Sequence, residues 1–283
     1  MNTGIDFIYD YTEDGLRLQG THFEPQEKDI CVIFTHGMCG TIIDNYFATI
    51  WGKHLANNNI GFLYGHNRGY SIENDILMKD GTLKRCGCMY EIFEECLFDI
   101  DLWIKKAKEL GYKRIILAGH SYGCNKIIYY YYKKKPDILG MVLASAPDMS
   151  FSDKDHEILI KEAKENIENN EPMKLLHKMV DNYMYFSSQT YYNWYQEHSN
   201  VGNLPVIRNP EKWEQFSNID VPILTFSGSN EEKWYLQLEL LKEKALSCPN
   251  FTFQIIENTG HTYKDCEEQT GKLIEKWIKE QYL

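Results

Sequence analysis

An α/β fold, a mostly parallel sheet with helices on both faces, is predicted by three observations. Short apolar runs recur at residues 31–35 (CVIFT), 62–64, 114–118, 141–145, 221–226 and 251–256. Helical stretches separate most of them, the alternation that builds a parallel sheet through crossover helices. One junction, RIILAGHSYGCNK at residues 114–126, packs an apolar strand, a glycine-flanked turn and a helix start into a single short stretch.

The elements follow in order. Phe7, Tyr9 and Tyr11 alternate before Asp14-Gly15, and Leu16 and Leu18 alternate after it, which predicts an opening hairpin. The clearest helix runs over residues 90–110, where Tyr90, Phe93, Leu97, Ile100, Ile104 and Ala107 repeat at three and four and Gly111 follows as a stop. Ile115, Ile116 and Leu117 form the apolar run of a strand covered on both faces, and residues 125–132 continue as helix. Lys133, Lys134 and Lys135 then make a cationic helix end before Pro136. Leu273, Ile274, Trp277 and Ile278 mark one face of a closing helix.

Residues 151–218 break this rhythm, with no convincing strand and many helix formers, acids and aromatics. They are expected to form a helical cap (lid) inserted between the two parts of the core, residues 1–150 and 219–283. Ser152 or Asp153 suits the cap of a helix through Asn166, and Pro172 the first turn of another. Tyr183, Tyr185, Phe186, Tyr191, Tyr192, Trp194 and Tyr195 either line a pocket for an apolar or ring-bearing substrate or build the lobe's own core, the second being preferred.

Composition narrows the partners. At 283 residues the chain fits one large domain with an insertion, and its net charge of −11, with no offsetting basic stripe, opposes nucleic acid. No window approaches the roughly 18 apolar residues of a membrane span, and MNTGIDFIYDYTEDG lacks a signal-peptide pattern, so a cytoplasmic protein with no membrane partner is expected. The eight cysteines, Cys31, Cys39, Cys86, Cys88, Cys96, Cys124, Cys248 and Cys266, are read as reduced. Cys86-Gly87-Cys88 reads as a loop turn rather than a redox or metal site. There is no HExxH, nucleotide loop or covalent cofactor pattern, and no cofactor or metal is expected.

The chemistry-bearing residues centre on Gly119-His120-Ser121-Tyr122-Gly123. A serine between glycines two residues away on each side suits a sharp strand-to-helix turn that pushes its oxygen out at the sheet edge. Such a hydroxyl needs a base, and the base an orienting acid. His261 in FQIIENTGHTY follows the last predicted strand by a short turn and is the candidate base; a loop histidine serving only solvation is the alternative. Glu231 in FSGSNEE is the chosen acid, with Glu232 and Asp148 as alternatives, each also readable as a solvated acid. Two backbone N–H groups are candidates for an oxyanion hole, those of Tyr122 after the serine and Met38 in His36-Gly37-Met38-Cys39-Gly40. His36 itself reads as a structural hydrogen-bonding residue.

With strand-HGMCG, GHNRGYS (residues 65–71), GHSYG, SAPD (145–148) and TGHTY (259–263) in this order, the chain resembles the α/β-hydrolase superfamily over nearly its whole length. The resemblance implies eight mostly parallel strands with a cap inserted after the sixth. It also implies the chain order nucleophile, acid, base, which Ser121, Glu231 and His261 follow. More narrowly, GHSYGCNK, MYEIFEEC and GHTYKDCEE look similar to bacterial relatives of the siderophore-esterase-like group with a domain of unknown function. Glu231 stands where aspartate is usual, and Asn67 where the loop before Arg68-Gly69 often holds aspartate.

The expected activity is a serine hydrolase of the carboxylesterase type, cleaving an ester or related acyl bond of a small-molecule substrate through an acyl-enzyme on Ser121. Because His261 must be neutral to accept the proton, activity is expected to fall below about pH 6–7. A non-catalytic ligand-binding protein on the same fold, and an acyltransferase or thioesterase using the same serine, are the alternatives.

Overall fold

A computed structural model of the chain describes residues 4–149, 154–207 and 212–283. The opening hairpin forms as β1 (Gly4–Tyr11) and β2 (Arg17–Glu24), antiparallel around the Asp14-Gly15 turn. Then β3 (Ile30–Thr35), α1 (Tyr46–Asn57) and β4 (Gly61–Gly65) make the first crossover unit. A small two-stranded ribbon, β5 (Asn74–Leu77) with β6 (Leu83–Cys86), stands apart from the main sheet. After it come α2 (Cys96–Glu109), β7 (Arg114–His120), α3 (Tyr122–Lys134) and β8 (Gly140–Ala144).

Between β8 and the last strands lie α4 (His156–Glu168), α5 (Ser188–Tyr195) and the single turn α6 (Glu214–Ser217). The chain closes with β9 (Ile223–Gly228), α7 (Leu238–Lys244), β10 (Phe251–Ile256) and α8 (Glu267–Tyr282). The main sheet has eight strands in the order β1-β2-β4-β3-β7-β8-β9-β10. Only the pairs that include β2 are antiparallel.

Period-two alternation within the apolar runs fills both faces of this sheet. Val32, Phe34, Ile116, Ala118, Val142 and Phe226 face α1 and α8, where Trp51, Ile274 and Trp277 meet them. Cys31, Ile33, Ile115, Leu117, Met141 and Leu143 face the other side, against Ile100, Trp103 and Ile104 of α2 and Ile127 and Ile128 of α3. Every residue of β3, β8 and β9 is buried, as strands covered on both faces require.

Three local expectations change. The helix expected over residues 90–110 starts at Cys96; before it stand two separate 3-10 turns, Cys88–Tyr90 and Phe93–Glu95. Glu91 between them is extended (φ −76°, ψ 134°), because its side chain is drawn inward to the buried Lys126. Pro172 opens no helix: it sits in a turn closed by the Lys174 N–H to the Glu171 carbonyl at 3.1 Å, where its fixed φ suits a turn equally well. Ser152 and Asp153 lie outside the described residues, and α4 begins at His156 after Asp155.

The segment between β8 and β9 rests on α3, the helix that follows the Ser121 turn, or elbow. Leu159, Ala163, Val180, Phe186, Tyr191 and Trp194 share a core with Phe93, Tyr122 and Tyr129. Trp194 lies with its ring 4.5 Å from that of Tyr122, the first residue of α3.

Candidate active site

Strands β3, β7, β9 and β10 run parallel, so the loops leaving their carboxyl ends open along one rim of the sheet. Those loops carry Met38, Ser121, Glu231 and His261 in turn.

Ser121 joins β7 to α3 with φ 53° and ψ −132°, a conformation that an L-residue holds only under constraint. The flanking glycines supply the room. A Cβ on Gly123 would stand 2.2 Å from the Thr35 carbonyl oxygen, and one on Gly119 would stand 2.7 Å from the Cys124 nitrogen. The Ser121 N–H donates to the Ala144 carbonyl at 2.9 Å and its carbonyl accepts the Cys124 N–H at 2.8 Å, anchoring the turn to β8 and to its own helix. Ser121 and His261 line one cavity of about 510 Å³.

Glu231 organises the histidine. Its side chain is 1% exposed, and Oε2 accepts the His261 Nδ1–H at 2.7 Å. Its other oxygen accepts the Gly228 N–H and the Ser145 hydroxyl, each at 2.7 Å. A carboxylate opposite Nδ1 places the ring proton there, which leaves Nε2 as the accepting nitrogen. Of the alternative acids, Glu232 is exposed, and Asp148 accepts the Ile207 N–H at 2.6 Å while lining the cavity. The reach of Glu231 therefore sets it apart from both.

Met38 and Tyr122 line the same cavity. Among the described residues, no hydrogen bond takes either backbone N–H. The loop before Met38 is held from behind. His36, fully buried, donates Nδ1–H to the Gly37 carbonyl at 2.7 Å and accepts the Asn67 N–H on Nε2 at 3.0 Å. Burial, then the neighbouring His66 and Lys126, push its pKa well down, so the ring is neutral and acts as a fixed strut. Asn67 continues the chain of contacts, accepting from Lys126 Nζ at 3.0 Å, and Lys126 pairs with Glu91 in the interior. Burial raises the Glu91 carboxyl against the pull of that lysine.

Several of these partners escape a sequence reading. Ser145 and Tyr263 stand within the SAPD and TGHTY motifs, yet their roles appear only in space. The Tyr263 hydroxyl lies 2.5 Å from Ser145 Oγ, so one proton order has Tyr263 donating to Ser145 and Ser145 donating to Glu231. Both residues have positive φ, 50° and 54°. His120 donates Nε2–H to the His261 carbonyl at 2.7 Å and its ring lies 4.6 Å from the His261 ring. Tyr235 covers His261 with ring centroids 5.0 Å apart and lines the cavity with Ser121.

The aromatic segment divides between the two roles considered for it. Tyr191 and Trp194 are buried in the lobe's core, Tyr183 and Tyr195 line the cavity, and Phe186 does both. Cys86-Gly87-Cys88 forms a turn with Gly87 at φ 98°, and no group of three or more metal-ligating side chains occurs among the described residues. No helix among the described residues is long and apolar enough to cross a membrane.

No family model matches this sequence, and no curated protein matches it. Solved structures match over nearly the whole chain. The α/β hydrolase GrgF from Penicillium sp. sh18 superposes with a TM-score of 0.71 at 14% identity, covering 99% of this chain and 100% of its own. The fold is that of the α/β-hydrolases. Ferulic acid-bound Est1E from Butyrivibrio proteoclasticus superposes with a TM-score of 0.66 at 17% identity, over 97% and 98% of the two chains. A Pyrococcus furiosus esterase, PF2001, gives 0.63 at 16% identity, over 99% and 91%. In this α/β-hydrolase fold, the strand order and the single reversed strand place the elbow on the central strand β7, with covered strands on both sides.

Proposed function

We propose that this chain is a serine hydrolase that cleaves carboxylic esters of apolar, ring-bearing or acyl-chain substrates through an acyl-enzyme on Ser121. The observation that carries the reading is the bond from His261 Nδ1 to a sealed Glu231 carboxylate, beside a serine held in a strained elbow that lines the same cavity. In the proposed cycle, Nε2 of His261 takes the Ser121 proton as Oγ attacks the acyl carbon, and Glu231 stabilises the imidazolium that forms. The Met38 and Tyr122 N–H groups receive the developing oxyanion, each such donor being worth about 10²–10³ in rate. His261 then passes its proton to the leaving alkoxide. Water, activated by the same nitrogen, attacks the acyl-enzyme and releases the acid.

The cavity walls suit an apolar substrate. Met38, Val180, Phe186, Tyr195, Trp234 and Tyr235 line it, and Val180, Phe186 and Tyr195 of these come from the segment between β8 and β9. Est1E, whose structure holds ferulic acid, and PF2001, named an esterase, share the fold and add weight to ester chemistry.

Fluorophosphonate labelling followed by hydrolysis of short-chain aryl esters tests the reading. Wild-type protein is expected to label at Ser121 and turn over, and Ser121→Ala to lose labelling and up to about 10⁶ in kcat. Equal labelling and turnover by Ser121→Ala would refute it.

A further inference from the structure

The loop that carries the Met38 N–H also carries a cysteine whose sulfur is pressed against another. Cys39 Sγ lies 2.6 Å from Cys88 Sγ, across a sequence separation of 49 residues. That is shorter than the roughly 3.5–4.0 Å of ordinary unbonded heavy-atom contacts, and about half an ångström longer than the ~2.05 Å of a disulfide. All eight cysteines are free thiols here. The two sulfurs can therefore bond with little movement of either backbone.

Their surroundings give the contact a consequence. Cys39 has φ 55° and lies two residues beyond Gly37, where a Cβ would meet the Ser121 Cβ at 2.8 Å. The Cys39 carbonyl accepts the Ser71 N–H at 3.2 Å, and the Ser71 carbonyl accepts the Cys88 N–H at 3.0 Å, so one strip of backbone already braces both. Cys88 is fully buried, and its sulfur also lies 3.3 Å from Met184 Sδ in the segment between β8 and β9. The pair thus sits where the Met38 loop, the Cys86-Gly87-Cys88 turn and the overlying lobe meet.

We propose that Cys39 and Cys88 are a redox modification site, closing to a reversible disulfide that clamps the Met38 loop. A peroxide is the oxidant. The half-buried Cys39, as its thiolate, attacks the peroxide O–O bond, giving a sulfenic acid and a hydroxide that takes up the proton the thiol had lost and becomes water; Cys88 then attacks that sulfur as its own proton passes to the departing hydroxyl, which leaves as a second water. The order follows from the environment, since burial, then the hydrogen bond to Cys39, hold the Cys88 thiol protonated. A dithiol reverses both steps. The bond's effect on turnover rests on the hydrolase reading; its formation does not.

The test is hydrogen peroxide treatment of the reduced native protein, followed by alkylation in denaturant, non-reducing digestion and mass spectrometry. The expected product links the Cys39 and Cys88 peptides, leaves the other six of the eight cysteines alkylated, and is undone by dithiothreitol. Cys39→Ser and Cys88→Ser should each abolish it, and Cys248→Ser should not. Both residues remaining alkylatable, sulfinic acid on Cys39, or linkage to other cysteines would each overturn the proposal. This readout stands whether or not the chain hydrolyses any ester. With an aryl ester substrate, oxidation is expected to lower turnover about tenfold, because the sub-ångström shift that closes the sulfur gap is passed to the adjacent Met38 N–H, reversibly and only when both thiols are present. An unchanged rate with the bond formed would overturn the coupling to that loop.

Discussion

His261 meets Glu231 across 2.7 Å, and the carboxylate it meets is 1% exposed and already accepts two other donors, from Gly228 and Ser145. Three hydrogen bonds to one carboxylate hold its position as firmly as the backbone does, and through it the orientation of the imidazole.

Glu231→Gln keeps the shape and removes the charge that selects the Nδ1–H tautomer. It is expected to lower kcat by about 10⁴ with little change in the melting profile. Glu232→Gln, altering the exposed neighbour, should leave kcat within a factor of about two. Ester turnover measured on the two variants side by side checks this; similar losses in both would remove Glu231 from its proposed role.

Stability should fall on mild acidification. Burial holds His36 and His120 well below the usual imidazole range, brings His66 down to about 4 and lowers His22. Once unfolded, each regains a value near 6.5, so below that pH the unfolded chain binds more protons than the folded one. The stabilisation is complete above pH ~6.5 and is lost as pH falls toward about 4, at up to about 1.4 kcal/mol per pH unit for each histidine. Glu91, raised by burial, takes up a proton earlier when folded and works the other way. A thermal midpoint unchanged from pH 7.5 to pH 5 would contradict this balance.

Gly123→Ala would drive a methyl to 2.2 Å from the Thr35 carbonyl, where α3 packs on the carboxyl end of β3. Backbone cannot yield as a side chain can, so the loss should reach about 3 kcal/mol or more, seen as a lower urea midpoint. Gly4→Ala, with nothing within 4 Å, serves as the control and should change stability by less than about 0.5 kcal/mol.

Lys126→Met removes the partner of a fully buried carboxylate and should cost about 3–5 kcal/mol. The double variant Lys126→Met, Glu91→Leu leaves no uncompensated charge and is expected to recover most of it. Urea unfolding of the single and double variants separates the pair's net worth from the penalty of breaking it. A double variant no more stable than the single one would show that the lysine acts elsewhere.

Much of the architecture was legible because burial on both faces leaves a mark on each strand. β10 runs over the residues its apolar pattern predicts, and the opening hairpin, the elbow and α8 fall where alternation and helical spacing put them. The start of α2 was not legible. Helical spacing continues back through Phe93 and Tyr90, while the break at Glu91 depends on a lysine 35 residues away. Pro172 misleads for a similar reason, since its φ suits a helix start and a turn alike.

Local sequence determined the strand run, the glycine-flanked serine and the loops from which a base and an acid could come, because these depend on neighbours within a few residues. That Glu231, and not Glu232 or Asp148, is the carboxylate hydrogen-bonded to His261 is visible only in the tertiary structure, as are the contacts from Ser145 and Tyr263 and the meeting of Cys39 with Cys88. Adjacent residues in a loop differ in the direction their side chains take. That direction is set by packing against strands far away in the chain, on which local pattern carries no information.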